Sequence, residues 1–404
     1  MTDNAVFRGA LAVIAIAVLD DAFVHREPGT ALADQLASGL APVAVAVLLA
    51  WLYPRLRPGA RALCALACGV LAVVAGVVDG VRHVAVDRLA GDDVSVLASL
   101  VAGVVLLVLA AVTLWRSRRL DERPARRYAR RAAVGFVTAL AGMLVLLPVA
   151  FAIVATHKAR APVTAQFGRE VTLRTDDGLR LAGAYVPSRN GAAVIVFPGR
   201  TGTLRHARLF ARHGYGVLVL DRRGEGASEG RLNLFGWNGE GDLRAALDFL
   251  AARPDVRDGR IGGLGLSVGG ELLLQTAAAD PRLRAVVSEG AGVRSLAEHL
   301  HTPGVGRVQR WGTNWLLQTP AVAVLSDTLP PGDLARAVGR IAPRPVLLIR
   351  ARDGNPDETL NEVYAQRIGA SAQLWTVSGG HTGALAAAPD AYERRVVGFF
   401  DRAL

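Results

Sequence analysis

Lysine is all but missing from this 404-residue chain: Lys158 is the single one, so nearly all of the 46 basic side chains are arginines. A formal net charge of +11 would point to nucleic acid if the basic residues clustered on a folded domain among aromatic side chains. Aromatics make up only 6% of the sequence, and the arginines do not cluster on a folded domain with aromatic interleaving, so no nucleic-acid partner is expected. Cysteine is nearly as scarce. Cys64 and Cys68 stand four apart in an apolar stretch, on one face of a helix, and the absence of any other cysteine excludes a disulfide framework downstream. No G-x-G-x-x-G can be read through Gly262–Gly270 and no P-loop lysine follows it, which removes a phosphate cradle from consideration. Neither a metal nor a cofactor is implied.

Apolar residues, by contrast, are abundant at 51%, above the ordinary share for a soluble chain. The excess lies before residue 157, where runs at 36–53, 62–82, 94–115 and 132–156 approach the ~20 residues needed to cross a bilayer as a helix. A fifth run, about 5–24, has Arg8 on one side and Asp20-Asp21 on the other, and its span is left open. Residues 1–157 are thus expected to form a membrane region of four to five helices, followed by a linker at 158–168 and a globular domain at 169–404. Cytoplasmic loops carry the Lys/Arg excess. The loop RSRRLDERPARRYARR, Arg116 to Arg131, and the loop containing Arg55, Arg57 and Arg61 are rich in arginine, whereas Asp20, Asp21, Glu27 and Asp34, and then Asp87, Asp92 and Asp93, fall in the alternate loops. The expectation is a multi-pass protein of the cell membrane, in contact with membrane lipids, whose C-terminal domain lies outside the cytoplasm.

From Arg169 onward, short β-rich runs alternate with helical periodicity, the pattern of a mostly parallel sheet covered by helices. Eight strands are expected: EVTLRT, LRLAGAYVP, AAVIVFPG, GVLVLDRRG, RIGGLGLS, LRAVVSEG, RPVLLIRA and AQLWTVSGG. The first two, joined by TDDG, read as an antiparallel hairpin at a sheet edge. Ligands in such sheets gather beyond the carboxyl ends of the strands.

Just beyond the fifth strand, Gly265-Leu266-Ser267-Val268-Gly269 is a G-x-S-x-G pentapeptide between a strand and a helix, the setting of a nucleophile elbow. A serine hydroxyl needs a base, and the base needs an acid to hold its tautomer. His381, in SGGHTG after the eighth strand, is the candidate base. The acid is open: Asp353, closest to the end of the seventh strand, is favoured, with Asp357, Glu358 and Glu289 as alternatives. An oxyanion would be met by the backbone N–H of Val268 at the helix start, and by that of Arg200 or Gly199 after the third strand.

These pieces resemble bacterial α/β-hydrolases of the serine-aminopeptidase-like and acyl-hydrolase group. The likeness rests on VIVFPGRTG, VLVLDRRGEGASEG, GDLRAALDFLAARPDVRDGRIGGLGLSVGGE, RPVLLIRARDG and SGGHTG. Two departures stand out: Pro198 occupies the place where the family usually has His, and the acid loop lacks the common G-x-x-D form. The resemblance implies an α/β-hydrolase fold of eight strands with a helical cap, assigned to about 291–343. Trp311, Trp315 and Leu316 of the cap are candidates for a substrate pocket, and Asp221 and Arg223 for support of the sheet top. The expected activity is serine hydrolysis of a small or lipid-like acyl substrate. A peptidase or acyltransferase with the same residues, or a non-catalytic membrane scaffold, is the alternative.

Overall fold

The computed structural model describes residues 2–85, 93–117, 124–157, 162, 167–199, 202–304, 306 and 315–404. The chain forms two units: Met1–Arg160 with Asn314–Thr328, and Ala161–Thr313 with Leu329–Leu404.

The first unit is helical. It contains α1 (Asp3–Leu19, continued by a π-helical turn Asp20–Val24), α2 (Leu36–Leu52), α3 (Pro58–Ala85), α4 (Asp93–Arg116), α5 (Pro124–Ala141) and, after a π turn at Gly142–Leu146, α6 (Leu147–His157). Four helical stretches among the described residues are long and apolar enough to cross a membrane: Leu32–Arg55, Pro58–Val81, Val94–Arg116 and Tyr128–His157. Large apolar side chains such as Val47, Trp51, Val101 and Val108 point outward. In water such a surface would be an aggregation liability, and against lipid it is the ordinary one. Small residues let α3 and α4 approach closely: a Cβ at Gly69 would lie 2.9 Å from the carbonyl oxygen of Gly103.

α1 runs antiparallel to α2 from end to end. At one end Phe7 stacks on Tyr53 with ring centroids 3.7 Å apart, Arg8 Nε donates to Ala50 O at 3.1 Å, and Arg116 pairs with Asp3 at 3.3 Å. At the other, Ala22 and Phe23 close over Gly39. Asp20 and Asp21 therefore belong to the π turn at the far end of the bundle, where Asp20 meets His25 at 3.0 Å.

The second unit is built on one eight-stranded sheet of order β1-β2-β4-β3-β5-β6-β7-β8. Its strands are β1 (Arg169–Arg174), β2 (Arg180–Val186), β3 (Ala193–Phe197), β4 (Gly216–Leu220), β5 (Ile261–Leu266), β6 (Ala285–Glu289), β7 (Val346–Ala351) and β8 (Ala372–Val377). β1 and β2 form the antiparallel hairpin at the edge, β2 meets β4 antiparallel, and β4 through β8 are parallel. β3, β4 and β5 are buried throughout, which is why their sequences are continuous apolar runs with no alternation. α7 (Leu204–Arg212), α8 (Glu240–Ala251) and α9 (Val268–Ala279) supply the crossovers. Strand order reverses between β3 and β5, so the carboxyl ends of these two strands open a crevice.

The DRRGEGASEG turn after β4 is tied to the sheet top by charge. Arg223 pairs with buried Asp242 of α8 at 2.7 Å and with Asp177 at 2.8 Å, while Asp221 accepts from Ala227 N at 3.2 Å. On one face of the sheet, Phe400 packs edge-on against Phe210 at 5.4 Å and Phe399 at 5.3 Å and is fully buried. Replacing Phe400 with Ala is expected to cost about 3–5 kcal/mol, read as a lowered unfolding midpoint of the full chain in detergent.

Candidate active site

The carboxyl end of β5 runs directly into α9 through Ser267, which takes φ 54° and ψ −126°. A non-glycine residue at positive φ is strained, and here the surrounding backbone enforces it. A Cβ at Gly265 would strike the carbonyl of Gly269, and one at Gly269 would lie 2.6 Å from Phe197 O and 2.7 Å from Pro198 O. Only glycine fits these two positions, because the serine turn is pressed against the end of β3. The turn is also pinned from β6, where Ser267 N donates to Glu289 O at 2.7 Å.

His381 lies in the loop after β8, with its Nε2 2.9 Å from Ser267 Oγ. Its Nδ1 lies 2.7 Å from Glu358 Oε1. Glu358 is buried in a 3-10 turn, Pro356–Thr359, between β7 and the helix Leu360–Ile368. Its carboxylate also accepts from Asn355 N at 3.0 Å and from Ala351 N at 2.8 Å. With both oxygens engaged, it can hold the imidazole so that Nδ1 carries the proton and Nε2 faces the serine.

The carboxyl favoured from the sequence is not the one at His381. Asp353 is exposed, and its backbone N–H donates to Gly379 O at 3.1 Å, tying the acid loop to the histidine loop. Distance along the chain from the strand end misled here, because the 3-10 turn folds the segment back and brings the residue five positions later under the imidazole. The readable signal was Asn355-Pro356-Asp357-Glu358, an N-x-x-E pattern in which the glutamate reaches back to the N–H of its own turn. Asp357 faces away and accepts from Val293 N at 3.4 Å. Glu289, at the end of β6, accepts from Ala384 N and from Tyr392 OH, both at 2.9 Å. Burial raises its pKa. It thereby braces the histidine loop without touching the ring in a hydrogen bond.

Gly199 lies against the serine turn: a Cβ there would be 3.0 Å from Ser267 Cβ and would strike Leu266 O. Val268 opens α9, at the positive end of the helix dipole, while the N–H groups of Gly270 and Glu271 donate to Ser267 O at 2.8 and 3.2 Å. Arg200 and Trp311 lie outside the described residues. Trp315 and Leu316 sit on the helix Trp315–Leu325, which belongs to the helical unit, contrary to their expected place in the cap of the α/β unit. Among the described residues no three His, Cys, Asp or Glu side chains converge as metal ligands. A hollow of about 350 Å³ lined by Val256, Arg257, Ile261 and Arg284 opens at the amino ends of β5 and β6, away from Ser267.

Residues 152–377, more than half of the chain, match the X-Pro dipeptidyl-peptidase (S15) family. The chain belongs to that family. An uncharacterised protein of Mycobacterium tuberculosis is 33% identical to this S15-family chain over 214 residues, covering 51% of it and 67% of the relative. A polyketide transferase from a Penicillium species is 34% identical over 127 residues, 30% of this chain and 43% of the relative. Among solved structures, an esterase of Pyrococcus furiosus is similar with a TM-score of 0.48 at 21% identity, over 58% of this chain and 90% of that one. The fold is that of the α/β-hydrolases, preceded in this S15-family chain by apolar helices suited to a membrane.

A second buried carboxyl lies one helical turn after the serine. Glu271 accepts from Gly292 N at 3.0 Å and stands 3.7 Å from Arg294, yet burial outweighs both partners and pushes its pKa up to about 7 from 4.5. A carboxyl whose folded pKa is raised binds a proton that the unfolded chain releases, so stability falls as pH rises from about 4.5 to about 7. In Glu271→Gln that part of the slope is expected to vanish: melting temperature followed across this window should decline less than in the wild type.

Proposed function

We propose that this protein is a membrane-anchored serine hydrolase acting on an ester or related acyl substrate. The observation that carries the reading is the pair of hydrogen bonds from Ser267 through His381 to Glu358, at 2.9 and 2.7 Å. In this mechanism His381 Nε2 takes the hydroxyl proton as Ser267 Oγ attacks the acyl carbon. The resulting oxyanion is received by the N–H of Val268 and by one contributed by Gly199 or Arg200, after β3. His381 then gives its proton to the leaving group, an acyl-enzyme forms, and water activated by the same imidazole releases the acid. Glu358 stabilises the imidazolium.

Ser267→Ala should abolish labelling of the membrane-bound protein by a fluorophosphonate. Glu358→Gln should lower kcat on an aryl ester by on the order of 10³–10⁴-fold, whereas Asp353→Asn should leave it nearly unchanged. The reverse ranking of the two carboxyl variants would overturn the assignment of Glu358. The second substrate class is a dipeptidyl amide with proline, favoured by family membership; profiling the wild type against ester, thioester and prolyl-amide substrates separates the two.

The site is proposed to work outside the cytoplasm. The arginines between Arg116, at the end of α4, and Arg131, in the first turns of α5, against the acids of the alternate segments, support this orientation. A C-terminal reporter active only in the cytoplasm should stay silent, and a signal from it would reverse the orientation.

A further inference from the structure

The segment Asn314–Thr328 comes from the middle of the hydrolase part of the sequence, between β6 and β7, yet it folds as part of the helical unit. Its helix, Trp315–Leu325, reads WLLQTPAVAVL and carries no charge. It packs on α6 and α2. Thr319 and Val322 are its buried residues, on one helical face, and Ser326 just past its end is buried too. Leu317, 43% exposed, lies opposite that face, and Leu316, 49% exposed, flanks it. Beyond its end, Asp327 Oδ1 accepts from Ala37 N at 2.7 Å and Asp327 Oδ2 from Ser38 N at 3.1 Å. Both donors belong to the first turn of α2, so the charged end of the insertion is fixed at one end of the bundle.

We infer that Trp315–Leu325 is a half-membrane helix whose Leu316 and Leu317 face rests on the acyl chains of the leaflet in which α6 ends. Eleven residues reach about 16 Å as a helix, roughly half of the ~30 Å hydrocarbon core, so the segment enters one leaflet without crossing. The two helices it packs on also expose apolar side chains, Leu36 and Leu40 on α2 and Leu147 and Phe151 on α6. Asp327 stays at the interface because it is spent on the N-terminal N–H groups of α2. The inference is independent of the triad.

The test uses the full chain in lipid nanodiscs, in a Cys64→Ser, Cys68→Ser background. Single cysteines at Leu316, at Leu317 and, as a reference in the other unit, at the 83% exposed Leu329 are labelled with bimane. The result expected is blue-shifted emission at Leu316→Cys and Leu317→Cys, quenched several-fold more by doxyl-labelled phospholipid than by iodide, with the opposite ranking at Leu329→Cys. Iodide quenching at the first two positions equal to that at Leu329→Cys would place the face in water and overturn the inference. Protection from both quenchers would show a protein surface in place of lipid, and with pyrene excimers at Leu317→Cys that surface would be a second copy of the chain. Either result overturns it. A hydrolytically dead protein that keeps the lipid pattern would sink the proposed activity and leave this inference intact.

Discussion

The close approach of the Ser267 turn to the end of β3 is the constraint around which the α/β unit is arranged. Gly269 faces the carbonyls of Phe197 and Pro198 with no room for a Cβ, and Gly199 faces that of Leu266. This contact brings β3 and β5 together at the point where strand order reverses, and it holds Ser267 at φ 54°. The strain is sustained by buried apolar strands on both sides, so the fold stores at one residue what its core supplies elsewhere. The serine is thereby raised at the head of α9, at the positive end of the helix dipole.

Around that turn, three buried carboxyls have three different electrostatic settings. Glu358 is met by two backbone N–H groups and the imidazole of His381. Glu289 is met by one N–H and a tyrosine hydroxyl, and burial prevails. Glu271 faces Arg294 at 3.7 Å and is still raised. For Glu289 and Glu271 desolvation outweighs the hydrogen-bond donors. Only the first of the three lies on the imidazole, while the others brace the loops on either side of it.

The helical unit uses a different currency. Its helices expose apolar side chains and meet through small residues, and its polar contacts lie at the ends: Asp3 with Arg116, Arg8 with Ala50, Asp327 with the start of α2. That placement fits a bilayer, where charge is tolerated near the interfaces and costly between them. An excursion from the hydrolase part of the chain joins this unit, so the two parts are linked by more than the single connection after His157.

Much of this was legible in the sequence because its causes are local. Continuous apolar runs of strand length, longer ones of membrane length, the glycine spacing around Ser267 and the glycine-flanked His381 are each set by residues within a few positions of one another. The sheet follows from the strand runs, and the crevice from the order in which they alternate with helices. The identity of the carboxyl at His381 does not. Position along the chain favours Asp353 and the N-x-x-E pattern marks only a turn around Glu358; what separates the four carboxyls is that 3-10 turn and the direction in which each leaves the backbone. The partner of Trp315–Leu325 is likewise undecided locally, since an uncharged apolar helix packs equally well over a pocket or against membrane helices. Only the fold, by placing Asp327 on the first turn of α2, assigns it. Periodicity and turn chemistry act over a few residues and can be read along the chain; hydrogen-bond partners more than twenty residues apart are fixed to within about an ångström by packing alone, and that is decided in three dimensions.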